Sequence, residues 1–207
     1  MADFPRLIVF SDTSRATQPA ILDRFSALAQ AARPGTVLFT LRDYGSSVRA
    51  RLTLGTELRS LAELNAQRFG VADRADLGRA LGARALHLPE AGLRAHDARR
   101  YLGPDAFLSR ACHDPLRAAD PDADALLLSP IFEARKGRPA LGLAALALLR
   151  RGRTESGAVP ALYALGGVDA GNAAACLAAG ATGVAVIGAA LVADHSPLLK
   201  ALEISRH

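Results

Sequence analysis

The sequence predicts an α/β fold, a single (β/α)8 TIM barrel spanning residues 1–207, and three observations carry that reading. Eight short apolar runs alternate with amphipathic segments, the pattern of a buried parallel sheet built from βαβ units. Two late runs, ALYALGG and VAVIGAA, end in Gly166-Gly167 and Gly188, where the seventh and eighth strands of a barrel meet the loops of its C-terminal mouth. A chain of 207 residues can also bury one substantial core with few decorated loops. Eight units close as a barrel, whereas a doubly wound sheet ordinarily uses fewer strands.

Each element has its own signal. LIVF (Leu7–Phe10) is a run of four apolar residues, a strand buried on both faces, and Thr17–Ala32 then places apolar residues at helical spacing. TVLFTL supplies the second strand, Thr36–Leu41, and Ser46–Gln67 the second helix. Phe69–Ala72 is the third strand. Asp73 follows in an N-cap role, before a helix over Arg74–Leu81 that Gly82 closes as a left-handed C-cap. ALHL (Ala85–Leu88) leads to a helix at Arg94–Tyr101, and Ala106–Ala111 to a short one at Pro115–Ala119. Ala125–Ser129 precedes a helix at Leu141–Arg150, after which GRTESG (Gly152–Gly157) reads as an exposed loop. Ala161–Leu165 connects to Gly183–Ile187 through a helix at Ala170–Ala179, with Asp169 as N-cap and Gly180 as C-cap. A last helix lies near Pro197–Ile204.

Composition narrows the function classes. Hydrophobic residues make up 50% of the chain and charged residues 22%, an ordinary globular balance. The net charge of +5 comes from scattered arginines, with no Lys/Arg run interleaved with aromatics and only 5% aromatic residues, so a nucleic-acid partner is not expected. The longest nonpolar stretch, Ala140–Leu149, is too short to span a bilayer and no membrane association is expected. The N-terminal MADFPRLIVF has no signal-peptide pattern. Cys112 and Cys176 form neither a CxxC nor a metal-ligand spacing and read as buried free thiols. The expected setting is cytoplasmic, with self-association left open.

Four phrases, in order, resemble those of the thiamine phosphate synthase and TenI family of barrels. ADRADLGRALGARALHLP resembles its NDR…HLG segment and LSRACHD its G.S.H segment. LLLSPIFEARKGRPALGL resembles its GPIF…T.TK…GL segment, and ALGGVDAGNAAACLAAGATGVAVIGAAL its IGGI..N…GADGVAVI segment. The likeness runs from about Val37 to Leu191. In that family a synthase joins a pyrimidine diphosphate to a thiazole phosphate, releasing pyrophosphate with Mg2+. The resemblance implies that Gly166, Gly167, Ile187 and Gly188 hold the phosphate of a small phosphorylated molecule of the thiazole phosphate type. It matches Arg42 to the arginine of QLR.K, and Asp73 to the metal carboxylate of NDR if the chain is a synthase; no other cofactor is implied. Lys136, with Arg135 beside it, falls where the family grips pyrophosphate.

The chain also departs from that pattern. Thr40 and Tyr44 replace the glutamine and lysine of QLR.K, Ala72 the asparagine of NDR, Gly92 a second metal aspartate, and Ala111 a serine. A leaving pyrophosphate needs cations and hydroxyl donors on its oxygens, and these substitutions remove several. A TenI-like phosphate-binding barrel, of the thiazole tautomerase type, is therefore placed first; an active thiamine phosphate synthase with Glu90 in the vacant carboxylate role is the alternative. A non-catalytic phosphate-binding regulator is third. The histidine of TenI tautomerases corresponds to Pro130, which transfers no proton, so His113 or Glu90 is the substitute acid–base. His113 also has a plainer reading, hydrogen-bonded to a loop carbonyl at the barrel mouth. Asp73 is either a ligand group or a helix cap, and Arg42 either faces a ligand or pairs with Asp43. His87 reads as a buried, satisfied histidine, and His96, His195 and His207 as surface residues.

Overall fold

A computed structural model of the chain describes residues 4–116, 120–135, 137–154 and 160–206, the side chains of 152–154 excepted. Eight strands form a closed barrel in sequence order: β1 (Leu7–Phe10), β2 (Val37–Leu41), β3 (Arg68–Ala72), β4 (Ala85–Leu88), β5 (Phe107–Cys112), β6 (Ala125–Leu128), β7 (Ala161–Leu165) and β8 (Gly183–Val186). Every strand pairs in parallel with the next, and β8 closes on β1 through Leu7 and Val184. The helices are α1 (Gln18–Ala31), α2 (Val48–Leu64), α3 (Ala75–Ala80), α4 (Ala95–Leu102), α5 (Gly142–Thr154), α6 (Ala173–Ala178) and α7 (Ser196–Ala201). No helix among the described residues is long and apolar enough to cross a membrane.

The two-residue period of the strands divides the core. Val9, Phe39, Leu41, Val71, Leu86, Leu108 and Leu128 point outward beneath the helices, while Ile8, Phe10, Leu38, Ala125, Leu127 and Tyr163 fill the barrel. The barrel floor is built from small residues around one large one. Tyr163 is fully buried and donates its hydroxyl to the Pro5 carbonyl at 2.5 Å, and burial pushes its phenol pKa up. Gly183 gives that ring its room, since a Cβ there would lie 2.3 Å from the Arg6 carbonyl oxygen and 2.8 Å from the Tyr163 ring.

Several local expectations are corrected. Residues 115–116 form a turn where a helix at Pro115–Ala119 was expected, and 117–119 lie outside the described residues. Helix α5 continues through Thr154, so the expected loop at Gly152–Gly157 is helical as far as 154, and 155–157 lie outside the described residues. Asp73 is not an N-cap. Its φ is +68°, and its N–H, donated to the His87 carbonyl at 2.8 Å, ties it to the strand end; Arg74 takes the cap position without a side-chain bond. Asp169 instead folds into a turn, accepting from the Gly171 N–H at 2.8 Å, and Asn172 holds the N-cap position of α6. The hydroxyls of Thr17 and Ser47 do cap α1 and α2. Gly82 and Gly180, at φ +63° and +103°, follow helix ends as expected.

Candidate functional site

Two adjoining cavities open at the mouth. A narrow cleft of about 250 Å3 lies between the β7 and β8 ends, lined by Gly166, Gly167, Ile187, Gly188, Ala189, Arg15, Glu133, Arg135 and Asp169. A wider cavity of about 620 Å3 crosses the barrel axis and is lined by Arg42, Tyr44, Arg51, Asp73, Arg74, His87, Glu90, His113, Arg135 and Arg138 among others. Arg135, Leu165, Gly166 and Ile187 line both. The structure thus brings together Arg42, Asp73, Glu90, His113, Gly166, Gly167, Ile187 and Gly188. Lys136 lies outside the described residues.

The cleft is backbone-built. Gly166 and Gly167 leave β7 at φ +94° and +72°, conformations that cost side-chain-bearing residues, and a Cβ on Gly167 would stand 2.7 Å from Glu133 Cγ. Asn172 fixes this turn from behind. Its Nδ2 donates to the Gly167 carbonyl at 2.9 Å, and its Oδ1 accepts from the Asp169 N–H at 3.0 Å. Among the described residues, the N–H groups of Gly167, Gly188 and Ala189 donate to no protein acceptor. Behind the turn after β8, His195 is buried rather than at the surface as expected, with its Nε2 3.1 Å from the Ala190 carbonyl. A satisfied turn carbonyl at a tightly packed site explains the correction.

The wider cavity is lined by charge. Arg42 bonds Asp12 at 3.0 Å and lies 4.9 Å over the Tyr44 ring. Its expected partner Asp43 is instead buried, accepting from the Ser11 hydroxyl and from the Thr13 N–H at 2.5 Å. Those bonds fasten the β1 and β2 ends together. His113 Nδ1 sits 2.8 Å from the Ser129 carbonyl; a carbonyl only accepts, so Nδ1 carries the proton and Nε2 keeps the lone pair in the neutral ring. The plainer reading of His113 therefore holds for one nitrogen and leaves the other for chemistry. Its backbone N–H donates to Glu90 Oε1 at 3.0 Å, and Glu90 Oε2 lies 3.9 Å from Arg138. His87 is half-buried, bonded through Nδ1 to the Ser109 hydroxyl at 3.0 Å, with Phe10 edge-on. Burial, with smaller contributions from Arg42, Arg110 and His113, pushes its pKa down to about 3, so it is neutral near pH 7.

Sequence reasoning missed four arginines at the mouth. Arg51, on α2, is buried; its NH2 reaches the Ala72 carbonyl at 3.3 Å while its Nε has no hydrogen-bond partner among the described residues. Thr40 Oγ1 on β2 is likewise buried without a partner among the described residues. An arginine on the inward face of an amphipathic helix was the available signal for Arg51. Arg15 follows the β1 end, and a closed barrel sets that loop beside β8. Arg138 reaches the cavity from the β6–α5 loop. Arg110 lies just outside the cavity and acts through the backbone. It donates to Asp120 at 2.7 Å and to the carbonyls of Pro89 and Leu93 at 2.7 and 2.6 Å, fixing the loop that carries Glu90.

Among the described residues, no group of three or more His, Cys, Asp or Glu side chains is arranged to hold a metal ion by itself. Cys112 and Cys176 are both buried, as expected, and burial pushes the Cys176 thiol up to about 11.

Comparison with known proteins gives a consistent result. Residues 13–190 match the family model TMP-TENI, described as thiamine monophosphate synthase. The chain is similar to a thiamine-phosphate synthase of Thermus thermophilus, 35% identical over 177 residues that cover 83% of this chain and 82% of that protein. It is also 35% identical to that of Mycobacterium bovis over 181 residues, 80% of each chain. In fold it resembles a thiamine phosphate pyrophosphorylase from Pyrococcus furiosus, with a TM-score of 0.77 at 22% identity, covering 96% of this chain and 95% of that one.

Proposed function

The chain belongs to the TMP-TENI family of thiamine biosynthesis, and from that premise we propose that it joins a thiazole phosphate to a pyrimidine diphosphate at the barrel mouth, releasing pyrophosphate. The relatives named thiamine-phosphate synthase favour this reading, which the sequence alone put second. The observation that carries it is the pair of adjoining cavities, one walled by free glycine amides and the other by five arginines, Arg42, Arg51, Arg74, Arg135 and Arg138.

The chemistry follows from the walls. The thiazole phosphate tail accepts from the N–H groups of Gly167, Gly188 and Ala189, and its ring extends along Leu165, Gly166 and Ile187 into the wider cavity. A bond forms between the two heterocycles while the pyrimidine's carbon–oxygen bond to diphosphate breaks, the diphosphate leaving with the electron pair. Negative charge then concentrates on the leaving oxygens. Guanidinium forks placed there stabilise it, each charge-assisted bond contributing about 1.5–3 kcal/mol. Arginines supply donors in place of the threonines, lysine and amide that the family pattern expects, and the buried, incompletely bonded Arg51 fits that task. Mg2+ takes one or two protein carboxylates together with substrate phosphate oxygens. Asp73, with Glu90 on the same cavity, fits such a site, where the ion would add positive charge against the diphosphate. The burial of the Cys112 and Cys176 thiols accords with a reducing, cytoplasmic setting.

The test is condensation. With both substrates and Mg2+, thiamine phosphate and pyrophosphate form in equal amounts, and Arg51→Gln lowers the rate by at least tenfold. Absence of product at high enzyme concentration overturns this reading. The TenI-like reading rests on a specific observation of its own, the loss of diphosphate-gripping residues at Thr40, Tyr44, Ala72, Gly92 and Ala111. Proton transfer on a thiazole phosphate without condensation selects it, and His113 Nε2 or the Glu90 carboxylate, whose Oε1 accepts from the His113 backbone N–H at 3.0 Å, then carries the proton. Binding with neither activity leaves the non-catalytic regulator.

A further inference from the structure

The phosphate cleft contains a cation that neither the family pattern nor the sequence reading assigns. Arg15, in the loop between β1 and α1, lines the cleft, and its NH1 lies 3.4 Å from where a Cβ on Gly188 would stand. Its guanidinium therefore faces the free amides of the turn after β8. Among the described residues, the cleft's other charged side chains are Arg135, Glu133 and Asp169, so two cations there meet two carboxylates. Selection for an anion then depends on which cation is free to turn to it.

Arg15 is held there by one weak contact. Asp12 Oδ2 lies 3.6 Å from Arg15 Nε and accepts a stronger bond from Arg42 at 3.0 Å, while Asp12 Oδ1 accepts from the N–H and hydroxyl of Ser14 at 3.1 and 2.5 Å. The carboxylate is thus fixed by its loop and by Arg42, and it steers Arg15 toward the cleft with most of the guanidinium's donors uncommitted. Among the described residues, no other ion pair involving Arg15 is formed. Arg15 is also 39% exposed, so replacing it leaves the core untouched.

We propose that Arg15 is the residue that selects a phosphorylated ligand over its unphosphorylated alcohol, by donating to the phosphate that the Gly167, Gly188 and Ala189 amides cradle, with Asp12 as its positioning residue. The inference rests on the reading that the cleft takes a thiazole phosphate. A forked guanidinium adds a charge-dependent contact to a backbone cradle that has none of its own.

The experiment is calorimetric titration of the wild type, Arg15→Gln and Arg15→Lys with the thiazole phosphate and, separately, with the unphosphorylated thiazole alcohol. Arg15→Gln is expected to weaken the phosphate ester by ten- to a hundredfold, the factor that one charge-assisted bond represents, and to leave the alcohol unchanged. Arg15→Lys keeps the charge without the fork and recovers part of the loss. The inference is overturned if Arg15→Gln binds the ester as well as the wild type, or weakens ester and alcohol alike. Failure of the wild type itself to bind the ester removes the reading of the cleft as well, so the two failures are distinguishable.

Discussion

Asp120→Asn tests how the loop carrying Glu90 is held. Asp120 and Arg110 form an ion pair with both side chains only 10% exposed. Asp120 Oδ2 also accepts from the Ala95 N–H at 3.1 Å, at the start of α4. The amide keeps the shape and one acceptor but leaves the guanidinium buried without its countercharge. Breaking such a pair from one side costs about 3–5 kcal/mol. Arg110 retains bonds to the Pro89 and Leu93 carbonyls, which argues for the lower end, about 3 kcal/mol. In a chain of this size 1 kcal/mol moves Tm by about 2–4 °C, so a fall of roughly 6–12 °C is expected. Urea denaturation and thermal melting read it directly. Hydrogen exchange separates the loop from the whole, since the Ala95 amide should exchange faster in the variant than global destabilisation explains. A double variant with Arg110→Met and Asp120→Leu should regain most of the stability while the 89–93 backbone stays loosened. Stability within about 0.5 kcal/mol of wild type for Asp120→Asn alone would refute the reasoning, because an uncompensated buried charge cannot be that cheap.

Two further outcomes follow from the packing and electrostatics. His87 has a folded pKa near 3 against about 6.5 unfolded; the unfolded chain binds the extra proton first, so the stability this group contributes is full above pH 6.5 and is lost as pH falls. Between pH 6.5 and 5 the loss is up to about 2 kcal/mol, and urea midpoints of His87→Gln should decline less over that interval than those of wild type; parallel decline would refute it. Gly183→Ala and Gly70→Ala should each destabilise by about 1–3 kcal/mol or more through overpacking, since the new methyl would meet the Arg6 carbonyl at 2.3 Å or Ala85 Cβ at 2.8 Å. Thermal melting checks both, and an unchanged Tm would show that the floor has slack.

The fold was legible because its signals are local and redundant. β1, β4 and β7 lie at the expected residues, and the other strands differ only at their ends, since a run such as LIVF or ALYAL has no other way to hide every side chain. Asp73 and Asp169 were misjudged because an aspartate after a strand can cap a helix or settle a turn with equal ease. Only the three-dimensional tie of the Asp73 N–H to His87 decides between them. The glycine side of the site was readable since Gly166 and Gly167 must adopt positive φ. The arginine side was readable only in part, at Arg42 and Arg135. Arg15, Arg51 and Arg138 come from loops and a helix far apart in the chain, and only barrel closure brings their positions to one rim. His195 was read as surface because nothing in ADHSP announces that its ring fills the space behind the last turn.

Gly188→Ala offers the most direct measurement on the phosphate cleft. Gly188 has no positive φ, and its added Cβ would meet only Arg15 NH1, at 3.4 Å, so the variant should fold with an unchanged Tm while its methyl occupies the cleft. Calorimetric titration with the thiazole phosphate should show binding to the wild type and at least a tenfold weaker affinity in Gly188→Ala. Equal affinities for the two proteins, or no binding by the wild type, would contradict a phosphate held on the amides after β7 and β8.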